Sequence, residues 1–516
     1  MNNQNEPMNK LNKMLNISGL LLAALVLSGC QTYRDQNKTL TYWRKGELAR
    51  AEIEARAKAK DAADRDAVIW RLEEATVLRG AGKIEDSNAS FAQAEDRINR
   101  YDEEAKVNLG KEGAAMLSNQ ATLPYRGRAY DGIMVNTYKA LNSLQLGHPD
   151  QARSELIRAG QRRQDAIEEN KKRIEKAQDA ADKAKEKAQQ AADKDKDKDV
   201  ADKDKDKDKV KDVADKDKDK DKTKEAADKD KDNIAKATND AKFKSQVSTN
   251  YAALDELKPY GDYENPFTVY LDGLVFMANA SDFADLEHAR KSFERVGSFG
   301  ENKYIKADLA AMEGVQQGRP IPPTTYVIFE TGCAPIRDQI RLDIPVIVGP
   351  GYVGAAFPKL ECNNDYAPAL TVSAGGTNEN TVLVGSMDSV IGRDFKNELP
   401  TIITKTVAAT LTKAAASWAA NELARQAGGS TAQVITKVAT SAYGVAVNIA
   451  DTRTWSTLPK EFQVCRIPTP PDRKIDVSVP SGQKASVTVC DGTYNIVYVK
   501  SVSATAPLIA TQFKLK

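Results

Sequence analysis

Histidine is nearly missing from this chain, at two in 516 residues. That leaves little room for the His-centred sites that dominate acid/base, nucleophilic and zinc chemistry. An excess of one charge is missing too. Lys+Arg number 75 against 73 Asp+Glu, and the net charge of +2 with a pI near 8.0 creates no long-range field of the kind that gathers nucleic acid. Long hydrophobic runs are scarce. The apolar stretch at residues 19–27 is too short to span a bilayer, which needs about 20 residues. What is abundant is charge of both signs, 29% of residues, but 17 acids and 15 Lys of that total sit in residues 193–232. Without that tract the charged share falls to roughly 24%, an ordinary globular value. The length predicts two or three domains at roughly 100–200 residues each.

The amino terminus reads as an export signal. A polar start with Lys10 and Lys13 leads into the apolar stretch and then into Leu27-Ser28-Gly29-Cys30, the layout of a signal peptide. The tetrapeptide resembles the lipobox of bacterial lipoproteins, in which cleavage before the Cys leaves an acylated thiol as the first residue. Residues 1–29 are then the signal peptide and Cys30 the lipid attachment site. Acyl chains contribute about 0.8 kcal/mol per buried methylene, so two or more make attachment effectively permanent. Gln31 follows Cys30, and under the enterobacterial sorting rule the absence of Asp there implies an outer-membrane anchor facing the periplasm. Export also implies an oxidising compartment. Cys333, Cys362, Cys465 and Cys490 remain, an even number with three possible connectivities. The sequence-neighbour bridges Cys333 to Cys362 and Cys465 to Cys490 are expected because each closes a short loop, at about 3 kcal/mol apiece.

Residues 30–66 read as a tether and a first helix. From 67 to 178 the pattern is helical and repeated. Ser87, Phe91 and Ala94 recur as Ala152, Leu156 and Ala159, and again as Ala289, Phe293 and Val296. Small, large and small residues at these offsets share one helical face. The arrangement resembles the tetratricopeptide repeat, and it predicts repeats over 67–178 and again over 236–318. Such a solenoid implies a concave surface that holds a partner protein. The interval 102–129 is expected to supply further helices, made irregular by Pro124 and several glycines. Residues 179–235 are low complexity: Ala201, Ala214 and Ala227 mark a 13-residue Asp/Lys repeat. With nothing apolar to bury, this insertion is expected to be disordered or a frayed helical hairpin. Ahead of it Ile167, Ile174, Ala181 and Ala188 form a weak heptad stripe.

Beyond Gly318 to Pro323 the period changes from 3.6 to 2. Strands are expected at 325–331, 339–348, 367–374 and 381–387, then in the last 55 residues, with Ala/Thr-rich helices at 393–427 and 431–449 between them. The fold class is α+β and multidomain: a tetratricopeptide-like α-solenoid carrying the charged insertion, then an α+β domain over 324–516.

Tempting motifs have bland readings. Gly349-Pro350-Gly351-Tyr352-Val353-Gly354 fits G-x-G-x-x-G, yet Pro358 follows where a dinucleotide site needs a helix, so no cofactor is expected. Ser481-Gly482-Gln483-Lys484 fits S-x-x-K but lies in an expected hairpin turn. His148 and His288 lack any ligand pattern and are expected to be solvated, and no metal site is expected. The helix at 431–450 carries one charge, Lys437, and its Thr, Ser and Asn mark it as buried or partner-facing. Asp451, Arg453 and Trp455 read as a structural corner.

Residues 123–153, 324–345 and 451–471 together resemble a family of uncharacterised bacterial outer-membrane lipoproteins with tetratricopeptide-like helices and a carboxy-terminal β-containing domain. The resemblance implies location and architecture, and no catalytic residues. The family's layout is similar to that of lipoproteins acting on cell-wall synthesis, which points to that machinery as partner. Two functions are expected in order: a non-enzymatic scaffold for another envelope protein, or a binder of peptidoglycan, another glycan or a small molecule through the carboxy-terminal domain. No Asp/Glu pair is singled out by spacing as catalytic.

Overall fold

The computed structural model describes residues 38–107, 123–198, 232–257, 260–346, 351–426 and 449–516. Its longer helices are α1 Leu48–Asp61, α2 Ala67–Gly80, α3 Ile84–Val107, α4 Ala129–Gln145, α5 Pro149–Lys198, α6 Ala241–Tyr251, α7 Pro266–Ala278, α8 Phe283–Gly297, α9 Lys303–Gln316 and α10 Met387–Gln426. Helix α2 with α3, α4 with α5 and α7 with α8 form three antiparallel hairpins joined by short turns. The small-large-small positions are where these hairpins close. Ser87, Phe91, Ala94, Ala152, Leu156, Ala159, Ala289, Phe293 and Val296 are all buried. The Ser87 hydroxyl donates to the Ala75 carbonyl across the first hairpin at 2.8 Å. In the third, a Cβ on Gly273 would stand 2.8 Å from the Phe293 ring, so glycine is what lets α7 and α8 meet there.

The strands are β1 Thr324–Thr331, β2 Ile336–Pro345, β3 Tyr352–Glu361, β4 Thr371–Ala374, β5 Thr377–Asn380, β6 Val382–Ser386, β7 Glu461–Pro468, β8 Lys474–Ser478, β9 Lys484–Thr488, β10 Tyr494–Ser501 and β11 Ile509–Lys514. Five of them form a sheet in the order β11-β10-β1-β7-β6, with β1 and β10 parallel and the other pairs antiparallel. A four-stranded sheet has the order β5-β4-β8-β9, and β2 pairs with β3 alone. Strand β1 is buried along its whole length, which requires cover on both faces. The helical hairpins cover one face, where Phe462 of β7 stacks on Phe267 of α7 at 3.9 Å. The four-stranded sheet covers the other, with Val372, Ile475 and Val477 in the same core. One continuous hydrophobic core runs through helices, central sheet and outer sheet, from Val68 to Leu515. The change of period at 318–323 therefore marks a change of layer and not an end of the core.

Several expectations are corrected. Strand β3 takes up the end of the G-x-G-x-x-G stretch, Tyr352 to Gly354, and Pro358 lies inside it opposite Gln339 of β2. Residues 232–239 are helical and pack with α6 on the β2–β3 hairpin and α10, in a separate small core of Ala237, Phe243, Leu342, Phe357, Phe395 and Val407. They do not extend the row of hairpins. The chain is docked well before residue 66, because Trp43 is fully buried against Val77, Cys333 and Val502. Residues 123–128 are not helical; Tyr125 there donates its backbone N–H to Arg65 at 2.7 Å. Helix α5 runs without a break to Lys198, into the expected low-complexity tract. Cys30, the remainder of the Asp/Lys repeat and nearly all of the expected 431–449 helix lie outside the described residues.

Candidate functional site

In an open row of helical hairpins the first helices of each pair line a groove. Here α2, α4 and α7 are buried almost throughout, because the chain's own sheet and the segment 451–458 fill that groove. Trp455 is the anchor. Its ring is fully buried between Phe91 at 5.8 Å and Tyr138 at 5.9 Å, and its indole N–H donates to Thr76 at 2.8 Å. Beside it, Glu73 of α2 accepts the backbone N–H groups of Ser456 and Thr457 at 2.6 and 3.2 Å, and the Ser456 hydroxyl at 2.7 Å. Burial nevertheless pushes the Glu73 carboxyl above its ordinary range, against the hydrogen bonds that oppose it.

Two further carboxylates tie sheet to helices. Glu330 of β1 lies directly opposite Lys500 of β10 in the parallel register and forms a buried ion pair with it. Tyr498 also donates to Glu330, and so does Tyr138 of α4 at 2.9 Å. Burial raises Glu330, but Lys500 and the hydroxyl donors outweigh it and leave the carboxyl below its usual range. Lys500 sits 4.6 Å over the Trp43 ring; burial lowers its pKa, and the Glu330 carboxylate opposes that fall. At the other end of the groove, Asp308 of α9 accepts Tyr270 at 3.1 Å and Tyr326 at 2.9 Å, with Arg466 at 3.0 Å. Burial pushes Asp308 up to about 7, and Arg466 opposes the rise.

A second buried cluster joins the start of α4 to α10, β2 and the 451–458 segment. Arg453 binds Asp451 at 2.8 Å, Asp66 at 3.1 Å and the carbonyls of Arg65 and Leu123. Glu398 of α10 takes Arg128 at 2.8 Å and Arg337 at 2.9 Å. Asp131 accepts Tyr125 and the backbone N–H of Arg128. These contacts are structural in kind: buried groups whose hydrogen bonds fasten one layer to another.

Asp451, Arg453 and Trp455 thus lie together as a corner, wedged between the hairpins and the sheet. Ser481 to Lys484 form the turn between β8 and β9, with Gly482 at φ +97°. The cysteines correct the sequence reading, since all four are free thiols. Cys333 is packed with Trp43 and donates to the Val502 carbonyl at 3.5 Å, and exposed Cys362 ends β3. Cys465 is buried within β7, while Cys490 lies past β9 with its backbone N–H on Gln512 at 3.1 Å. Short spacing along the chain did not bring the pairs together in space. Burial pushes the thiols of Cys333 and Cys465 up to about 11, which keeps them protonated and slow to oxidise. His288 is exposed, as expected. It stacks on Phe276 at 3.9 Å and hydrogen-bonds Asp272 at 2.7 Å, and that carboxylate raises its pKa against burial. His148 follows Gly147 in the turn before α5.

The sequence reading missed Glu330, Lys500, Asp308, Arg128 and Glu398. A signal existed for the first two, each a charged residue inside an apolar strand run, because a strand buried on both faces tolerates charge only when it is paired. Among the described residues no group of His, Cys, Asp and Glu is placed to hold a metal ion, and no helix is long and apolar enough to cross a membrane.

No family model and no curated protein matches the chain. A tetratricopeptide repeat protein from Parabacteroides merdae, known from its crystal structure, is similar at 14% identity over 55% of this chain and 98% of its own, with a TM-score of 0.13.

Proposed function

We propose that the protein is a lipid-anchored scaffold of the bacterial cell envelope, held in the outer membrane through acylated Cys30, facing the periplasm, and binding another envelope protein. The observation that carries this reading is Leu27-Ser28-Gly29-Cys30 directly behind the apolar stretch 19–27. The docking of Trp43 adds to it. Trp43 is fully buried thirteen residues past Cys30, so at about 3.3 Å per residue the folded body is held within about 43 Å of the bilayer. Because the inner groove is filled by the chain itself, the partner meets the outer helices. There Arg153 of α5 pairs with Asp285 of α8, and two large apolar side chains flank that pair, Ile157 at 55% and Phe283 at 65% exposure.

The test is fractionation and mass spectrometry of the native protein beside Cys30→Ala. Wild type is expected in the outer-membrane fraction with acyl mass on Cys30, and the variant is expected to leave that fraction. An unmodified Cys30, or wild type in the cytosol, refutes the anchor. Crosslinking in intact envelopes should recover a stoichiometric protein partner that the double variant Ile157→Asp, Phe283→Asp no longer captures. Recovery of no partner refutes the scaffold.

A further inference from the structure

Around the start of α4 the side chains divide unevenly. Arg65, Arg128, Arg337 and Arg453 face Asp66, Asp131, Asp394, Glu398 and Asp451, with the phenols of Tyr125 and Tyr130 among them. Four of the five carboxyls are taken. Asp66 has Arg65 and Arg453, Asp451 has Arg453, Glu398 has Arg128 and Arg337, and Asp131 has Tyr125 and a backbone N–H. Asp394 is the exception. It is 95% buried on α10, one turn before Glu398, and its Oδ2 has no hydrogen-bond partner among the described residues; Oδ1 of Asp131 is likewise without one, but the other oxygen of that carboxyl is held by Tyr125 and the Arg128 N–H. An ionised carboxylate buried without a partner is unstable, whereas a neutral carboxyl is tolerated.

The location gives this chemistry a mechanical consequence. Met387, Val390 and Ile391 at the start of α10 belong to the large core, while Phe395 and Val407 belong to the small core shared with α6, β2 and β3. Asp394 lies at the junction. From β2, Arg337 reaches Glu398 and also covers the Phe395 ring at 4.7 Å. From α4, Arg128 reaches the same Glu398, and its Nη2 reaches the Arg453 carbonyl at 3.3 Å. The small core is therefore fastened to the helical layer through a cluster with one carboxyl too many.

We propose that this cluster is a proton-operated latch: with Asp394 neutral, α10 and the β2–β3 hairpin seat against α4, and loss of that proton unseats them while the large core stays folded. The sign follows from linkage. Burial, then the negative charge of Glu398, raises Asp394 above its ordinary value, against Arg128 and Arg337. Seating is then fully stabilised below the ordinary Asp value and weakens as pH climbs toward the raised one, by about tenfold per pH unit in between. Asp131, which burial pushes up to about 6, adds to the same direction.

Hydrogen exchange of the full-length protein, corrected for intrinsic rates, tests this between pH 5 and pH 7. In wild type, protection of the amides of α10 beyond Asp394 and of β2 and β3 is expected to fall about a hundredfold through Asp394 and up to about a further tenfold through Asp131, while β1 amides fall only through Asp308, a fall that Asp394→Asn leaves unchanged. In Asp394→Asn the fall should shrink to about tenfold or less, the share left to Asp131. Wild-type protection of α10, β2 and β3 that does not change with pH overturns the latch whether or not the variant folds, and so does a fall in β1 that Asp394→Asn removes. An unchanged hundredfold fall in Asp394→Asn overturns the assignment of the proton to Asp394.

Discussion

Glu330 interrupts the apolar run of β1 and Lys500 that of β10, and the parallel register makes the two direct neighbours. Each charge alone would lose its hydration on burial; together, with Tyr138 and Tyr498 donating to the carboxylate, they satisfy one another. Removing one partner leaves an uncompensated charge in the core, which costs about 3–5 kcal/mol, whereas replacing both by apolar residues of similar volume is often nearly neutral. Glu330→Gln and Lys500→Met are each expected to lower unfolding stability by that amount in chemical denaturation, and Glu330→Leu with Lys500→Met together to recover most of it. Single variants within 1 kcal/mol of wild type would show the pair to be dispensable. The residues most visible in the sequence behaved differently. The four cysteines were countable, but their partners were not, because a disulfide needs a distance and an orientation that spacing does not specify.

Elements were legible in proportion to the regularity of their burial. The hairpin helices carry one buried face, so Phe91, Leu156 and Phe293 marked all three second helices. Strands β1 and β10 each carry an apolar run of four, Tyr326 to Phe329 and Ile496 to Val499. Strand β3 escaped notice because Gly354 and Pro358 stand in it, and both are tolerated there only because its pairing is confined to β2. Helix α9 is tied to the strands by polar contacts: Tyr304 donates to the Asn380 carbonyl, and Asp308 reaches under the sheet to Tyr326 and Arg466. Its carboxyl is raised to about 7 by burial, so the folded state binds a proton more tightly than the unfolded chain. Its contribution is full below about pH 4 and is lost as pH rises through about 7. Asp308→Asn should flatten that part of the pH dependence of thermal stability between pH 5 and 8. A slope identical to that of wild type would disprove the assignment.

At the scale of the molecule, the shared core sets what can be separated from what. Tyr326, Ile328, Glu330, Trp455, Phe462 and Tyr498 belong by sequence to the strand-rich half, yet all are buried, and Tyr138, Thr76, Phe267 and Asp308 of the helices meet several of them. Expressed alone, residues 320–516 would expose that face to water, a large apolar surface broken by unpaired charge. The fragment is expected to aggregate or to lack near-ultraviolet circular dichroism and dispersed amide resonances; a well-dispersed spectrum would contradict the shared core. Binding experiments on the strand-rich half accordingly belong to the full chain.

Local and periodic information was carried by the residues in order. The lipobox-like tetrapeptide, the small-large-small faces, the Asp/Lys tract and the switch from helical to strand period near residue 320 all depend on neighbours within a few positions. The filled groove, the pairing of Glu330 with Lys500, the free thiols and the unpartnered Asp394 depend on residues far apart in the chain that share one buried volume. Burial removes water as a competing partner, so which groups then satisfy one another is set by packing across the three layers, a quantity no spacing along the chain encodes.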